Sequence, residues 1–156
     1  MRLSVLDGSI IGALIGGLFS LVVGIILNKR EKKNRENHAA SILYYDLKSI
    51  EEYISSPNNS VNIRYSNDWQ EMVANCSFLD DIHVKRLYNI YDTLYNYNYA
   101  YTQKEKIGKP FVKHDMAELI ALETLILDTS KPNFDYGDYN KEYEILLNSL
   151  KKHKKS

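Results

Sequence analysis

The chain has few cysteines, prolines and tryptophans. Its 156 residues include one cysteine, three prolines and one tryptophan. The single cysteine, Cys76, excludes an intramolecular disulfide and fits a reducing compartment. No Lys, Arg or His lies within four positions of Cys76 to favour its thiolate, so we interpret it as a small core residue rather than a nucleophile.

Motifs of common enzyme classes are also missing. The sequence has no phosphate-binding Gly-rich loop, no HExxH and no GxSxG. Two spacings suit metal ligands: His114 with Glu118, and Asp80 with His83. A di-metal site in a helical bundle needs two Glu-x-x-His halves, which the chain lacks. We therefore expect no catalytic residues, no metal and no cofactor, and surface roles for these polar side chains.

Charge is absent from residues 10–27, IIGALIGGLFSLVVGIIL, where Ser20 is the only polar side chain. A helix rises about 1.5 Å per residue, so this run covers roughly 27 Å, close to the hydrocarbon core of a bilayer. The pattern predicts one transmembrane helix over 10–27, preceded by a short extracytoplasmic segment, 1–9.

Small residues recur at every fourth position of this helix, which places them on one face. Such residues let helix backbones approach closely, and close packing replaces the hydrophobic drive that is missing between helices in lipid. Single glycines are common in membrane helices, but a strict register favours self-association into a homo-oligomer. The predicted oligomerisation face consists of Gly8, Gly12, Gly16, Ser20 and Gly24.

A basic flank, residues 28–36, follows the apolar run and marks an uncleaved anchor rather than a signal peptide. Basic residues collect on the cytoplasmic side of a span, so the N-terminus is expected outside and the C-terminus in the cytoplasm, at a bacterial inner membrane. Basic side chains at this depth also bind anionic lipid headgroups. The predicted lipid contacts are Lys29, Arg30, Lys32, Lys33 and Arg35.

The rest of the charge is unevenly distributed. The tail 151–156, KKHKKS, is either a solvated end or a second lipid contact, and the sequence leaves both interpretations open. Residues 37–150 hold ten Lys or Arg against seventeen Asp or Glu. An acidic domain argues against general nucleic-acid binding, which needs clustered basic residues.

Apolar residues at helical spacing predict a cytoplasmic helical domain over 37–156. No Gly or Pro occurs from 29 to 55, so the membrane helix should continue past residue 27 without a break. The result is one helix of about 45 residues, which starts at Ile10 and is ended by SSPNNS at 55–60. Four further helices are predicted: one after an Asn67–Gln70 capping box, one from Asp80 to about 107, one over 112–129 that is apolar almost all round and so the most buried, and one capped by Asp138.

Tyrosine is abundant, with thirteen in the chain and six between 88 and 101. These six cannot all face one core, because successive helical residues lie about 100° apart. Tyr91 and Tyr101 fit the apolar seam, whereas Tyr88, Tyr95 and Tyr99 form a second stripe. That stripe is either a packed domain edge or an interaction surface for a partner protein or a small signal.

The layout combines one membrane helix, a basic exit, ILYYDLKSIEEYI, NDWQEM and a Tyr-rich helix. It resembles the small membrane-anchored helical proteins of bacterial prophages and defence islands, including superinfection-exclusion proteins and anti-phage membrane effectors. The resemblance implies an inner-membrane location and a role in phage defence or exclusion.

The expected protein is all-α, with one membrane helix that continues into a cytoplasmic bundle. The leading hypothesis is a non-enzymatic membrane effector that oligomerises through its glycine face. A membrane-tethered scaffold or immunity-type binding module is the second hypothesis, and a metal-dependent membrane enzyme is the third.

Overall fold

A computed structural model describes residues 3–55, 63–106, 117–133 and 135–155, and only the backbone at residues 3–11, Leu14 and Glu105. In these ranges the regular elements are all helices: α1 Leu3–Ser55, α2 Trp69–Asn75, α3 Asp81–Lys106, α4 Ala117–Ile126 and α5 Lys141–His153. An isolated antiparallel bridge joins Leu127 and Tyr139. The prediction of an all-α protein is confirmed.

Helix α1 runs through both of the compact units into which the chain divides, Met1–Arg35 (unit 1) and Glu36–Ser156 (unit 2). It begins seven residues before the predicted start at Ile10 and ends at Ser55, where the prediction placed its end. The absence of Gly and Pro from 29 to 55 explains why no break occurs, because these residues are the usual helix breakers.

Unit 1 exposes the large apolar side chains of α1. Their exposed fractions run from 40% at Val23 to 72% at Phe19. Among the described residues, no helix has both the length and the apolar character needed to cross a membrane. The expected span over 10–27 includes Ile10, Ile11 and Leu14, whose side chains lie outside those residues.

Unit 2 has one hydrophobic core, to which every helix of the unit contributes. The predicted stripe on α1 is wholly inside it: Ala39, Leu43, Leu47, Ile50 and Ile54 are at most 2% exposed. Helix α3 packs against α2, α4 and α5. The other fully buried members include Leu87, Ile90, Tyr91, Leu94, Tyr97, Leu122, Ile126, Tyr143, Leu146 and Leu150.

The predicted helix starts have mixed outcomes. Asp80 precedes α3 and accepts a hydrogen bond from the backbone N–H of His83 at 2.8 Å, which confirms the predicted cap. The Asn67–Gln70 box is wrong, because α2 is preceded by Asp68 and has no side-chain cap bond.

The predicted cap at Asp138 is also wrong. Asn140 caps α5, and its side-chain oxygen accepts from the N–H of Glu142 at 3.0 Å. Asp138 instead closes the preceding loop, where it accepts from the N–H of Asp135 at 2.9 Å and from Lys131 Nζ at 2.6 Å. Both residues are good caps in sequence, and the loop geometry chooses between them.

Helix α4 is shorter and less buried than the prediction for 112–129. It covers Ala117–Ile126, and residues 112–116 lie outside the described ranges. Its inner face is formed by Leu119, Leu122 and Ile126, whereas Ile120 is 52% exposed. The helix therefore packs on one side only, and its high apolar content does not make it the central helix.

Candidate interaction site

The glycine face of α1 is open in the structure. A Cβ atom built on Gly12, Gly16 or Gly24 meets no atom within 4 Å. The Ser20 hydroxyl donates to the Gly16 carbonyl at 2.9 Å, which satisfies its polar group within the helix. The surroundings of Gly8 lie outside the described residues. All five predicted positions thus lie on α1, and no described atom fills the space beside Gly12, Gly16 or Gly24.

The basic side chains of the flank are exposed. Lys29, Arg30, Lys32, Lys33 and Arg35 all lie on α1 with their side chains in solvent. Arg35 Nη1 lies 3.7 Å from Glu31 Oε1, one helical turn away. An exposed pair of this kind is weak, so it leaves the flank available to an external anion.

The predicted tyrosine stripe is on the outer surface of α3. Tyr95 is 63% exposed, Tyr99 60% and Tyr88 38%. Tyr88 presents its ring edge to Trp69, with ring centroids 4.8 Å apart. Tyr95 and Tyr99 are therefore open to solvent, whereas Tyr88 is partly packed against Trp69, and the interaction surface stays a prediction.

Tyr95 and Tyr99 also line a surface cleft of about 330 Å³. The Asn98 side chain forms one of its walls and makes two hydrogen bonds to the backbone of Ile63: it accepts from N at 3.1 Å and donates to O at 2.8 Å. This pair fixes the segment after residue 62 against α3. The other lining residues are Tyr65, Thr102, Gln103 and Lys106.

Asp46 on α1 fixes the same segment from its other end. Its carboxylate accepts from the N–H of Ser66 at 2.9 Å and from the Tyr91 hydroxyl at 3.0 Å. Burial raises the pKa of Asp46 above its usual range, and the two hydrogen bonds partly oppose that effect. Burial also raises the pKa of Tyr91, so its hydroxyl keeps the proton that it donates.

A second tyrosine cluster, which sequence reasoning missed, surrounds Glu51 on α1. Glu51 is 7% exposed, and its two carboxylate oxygens accept from the Tyr139 hydroxyl at 2.9 Å and the Tyr143 hydroxyl at 2.7 Å. Lys48 Nζ also donates to Glu51. Burial and the neighbouring carboxylate raise the pKa of Tyr139 to about 12. The sequence signal was available, because Glu51 lies four residues after Leu47 and three before Ile54, on the buried stripe.

Glu51 also borders a cleft of about 430 Å³ at the surface of unit 2. Both carboxylate oxygens of Glu51 accept hydrogen bonds from the protein itself. We therefore interpret the carboxylate as a structural link between α1 and α5 rather than a ligand-binding group. The other lining residues are Tyr45, Lys48, Ser49, Glu52, Ser55 and Tyr139.

The metal-ligand pairs do not assemble into a site in the described part of the chain. His83 Nδ1 lies 2.8 Å from the Asp80 carboxylate that caps α3. His114 lies outside the described residues, and Glu118 is half-buried on α4. No group of three or more His, Cys, Asp or Glu able to hold a metal occurs in the part of the chain that the structure describes.

Cys76 is buried at the end of α2 as a free thiol. Burial, with a smaller contribution from Glu36, raises the pKa of its thiol to about 12. A thiol in this environment stays protonated, which fits the interpretation as a core residue.

Comparisons of the chain with protein-family models, with curated proteins and with solved structures found no match.

Proposed function

We propose that the protein is a non-enzymatic membrane effector that oligomerises through the glycine face of α1 and carries a sensing or partner-binding domain. The observation that supports this most is the exposed apolar surface of unit 1. Its members are Ile15, Leu18, Phe19, Leu21, Val22, Val23, Ile25, Ile26 and Leu27.

Such a surface is untenable in water. Monomeric soluble proteins rarely expose a large continuous apolar patch, because each buried CH₂ is worth about 0.8 kcal/mol. Lipid would cover this helix on all sides at once. The basic flank from Lys29 to Arg35 would then lie at headgroup depth and orient unit 2 toward the cytoplasm.

The open glycine face supports self-association within that membrane. Since no described side chain lies beside Gly12, Gly16 or Gly24, a second helix can approach the backbone closely. The resulting homo-oligomer is the form in which we propose that the protein acts on the membrane, in phage defence or exclusion, as the layout of the chain suggests.

A membrane-tethered scaffold is the second candidate. The exposed stripe of Tyr88, Tyr95 and Tyr99 favours it, because aromatic side chains are enriched at protein interfaces and need no pore to act. Both candidates place the signal or partner at this stripe, and they differ in whether the membrane helix does more than hold unit 2 in place.

Gly16→Ile is the variant that separates the two candidates. A β-branched side chain at the centre of the glycine face should hold neighbouring helices apart and remove the close backbone packing between them. Leu18→Ile is the matched control, since Leu18 lies about 200° around the helix from Gly16. Cross-linking of full-length chains in membranes should detect oligomers for the wild type and for Leu18→Ile, but not for Gly16→Ile.

A bacterial toxicity or protection assay and a dye-leak assay on vesicles complete the test. Loss of oligomer, activity and leakage together in Gly16→Ile supports the effector. An unchanged cross-linking pattern contradicts the glycine face as the interface. Loss of the oligomer with full activity and no leakage in any variant favours the scaffold.

A further inference from the structure

The C-terminal segment, residues 151–155, packs against the rest of unit 2. The His153 ring stacks on Phe78, with centroids 3.8 Å apart and planes 10° from parallel. Lys154 Nζ donates to the Tyr45 hydroxyl at 3.1 Å, and the N–H of Lys155 donates to Ser41 Oγ at 2.9 Å. A merely solvated tail would have none of these contacts.

The attachment point is specific to one part of α1. Lys154 Nζ lies 5.1 Å from the ring centroid of Tyr44 and 5.0 Å from that of Tyr45, so two aromatic faces attract its charge. Ser41 is only six residues along the chain from Arg35, the last basic residue of the flank. The last lysines of the chain are thereby held beside the first turns of α1 in unit 2.

The segment is strongly basic, and three of its four lysines are exposed. From Ile145 to the end of the chain there are four lysines and no acidic residue. Lys151, Lys152 and Lys155 are exposed, and no ion pair involves them among the described side chains. Lys154 is occupied by the two tyrosines and acts as the attachment.

We propose that Lys151, Lys152 and Lys155 form a second basic surface that binds the headgroups of an anionic phospholipid bilayer. The inference rests on the proposed membrane anchor, and it adds a lipid contact made by unit 2 itself. The choice of occupant follows from charge and chain distance. Residues 37–150 are net acidic, which opposes a polyanion such as RNA, whereas the segment is attached to Ser41, six residues along the chain from the flank for which we propose headgroup contact.

Amine footprinting of the full-length protein in lipid nanodiscs tests this surface. Zwitterionic discs are compared with discs that hold roughly 30% anionic phosphatidylglycerol. Labelling of Lys151, Lys152 and Lys155 should fall about threefold or more in the anionic discs, and about 0.5 M NaCl should restore it. Lys141, exposed in the first turn of α5, is the internal control and should be labelled equally in both discs.

The other outcomes separate this inference from the anchor. Protection of Lys29, Lys32 and Lys33 with equal labelling of the tail overturns the inference and leaves the anchor standing. Failure of the chain to enter nanodiscs overturns both. Protection by inorganic phosphate in zwitterionic discs would instead identify a small-anion site and also overturn the inference.

Discussion

At the scale of single residues, Asp46 shows how one buried carboxylate can organise a domain. It lies one position before the buried Leu47 on α1 and accepts hydrogen bonds from two segments far away in sequence. Removing a carboxylate from water is unfavourable, so its pKa rises even though the Ser66 N–H and the Tyr91 hydroxyl stabilise its charge. The carboxylate that holds Ser66 and Tyr91 in place should therefore also make the stability of the fold depend on pH.

The sign of the pH effect follows from proton linkage. Because the pKa of Asp46 is higher in the folded protein than in the unfolded chain, the folded state binds more protons between the two values. The free energy of unfolding contributed by Asp46 therefore falls as pH rises from the ordinary pKa of 3.8 through the folded pKa.

We predict that Asp46→Asn removes this fall in the free energy of unfolding as pH rises. The amide oxygen of the variant can still accept both hydrogen bonds, so its free energy of unfolding relative to wild type should increase from about pH 3 to about pH 7. Denaturant unfolding followed by the fluorescence of Trp69, the only tryptophan, gives the values. Asp138→Asn is a control of opposite sign, because Lys131 lowers the pKa of Asp138. A constant or falling difference for Asp46→Asn would contradict the prediction.

At the scale of elements, a tyrosine clamp joins the ends of α1 and α5. Tyr143 is fully buried on α5, and its hydroxyl reaches Glu51 near the end of α1. Tyr139, just before α5, binds the other oxygen of the same carboxylate. Helices α1 and α5 are far apart in sequence, and these two hydrogen bonds hold them in one register.

Tyr143→Phe tests the clamp with little change in shape. Hydrogen bonds to charged groups contribute about 1.5–3 kcal/mol, so we expect a loss of that size in the free energy of unfolding. The exposed Tyr95 provides the matched control, and Tyr95→Phe should change stability by less than about 0.5 kcal/mol. Equal effects of the two substitutions would show that the Glu51 bonds do not stabilise the fold.

At the scale of the whole molecule, the division between Arg35 and Glu36 separates two kinds of surface. Unit 1 is a helix with exposed apolar side chains, whereas unit 2 buries its apolar stripe in a core of its own. The clamps at Asp46 and Glu51 and the attachment of the C-terminal segment all lie within unit 2. Unit 2 therefore has what a domain needs to fold alone.

A fragment of residues 36–156 should fold without residues 1–35. We expect a mainly helical circular dichroism spectrum and a blue-shifted emission from Trp69, which stacks on Tyr91 at 4.7 Å. A fragment of residues 48–156 is the control and should not fold, because it lacks the buried Leu43 and Leu47 and the Asp46 carboxylate. A random-coil spectrum for 36–156 would mean that unit 1 is required for folding.

The sequence by itself determined the helices. The apolar stripe on α1, its uninterrupted length, its end at Ser55 and the cap of α3 at Asp80 all followed from spacing, breakers and capping, which are local properties of the chain. The tyrosine stripe on α3 was predicted for the same reason, since residues seven and four positions apart share a helical face.

The tertiary structure decided which polar residues matter. The hydrogen bonds of Glu51 to Tyr139 and Tyr143 and the attachment of Lys154 to Tyr44 and Tyr45 join residues far apart in sequence. Spacing places Glu51 on the buried stripe, but it carries no information about these partners. The choice of Asn140 over Asp138 as a cap likewise depends on how the loop before α5 folds back onto Asp135 and Lys131. Propensity names the candidates for such roles, and long-range packing selects among them because a buried polar group must find its partner in space.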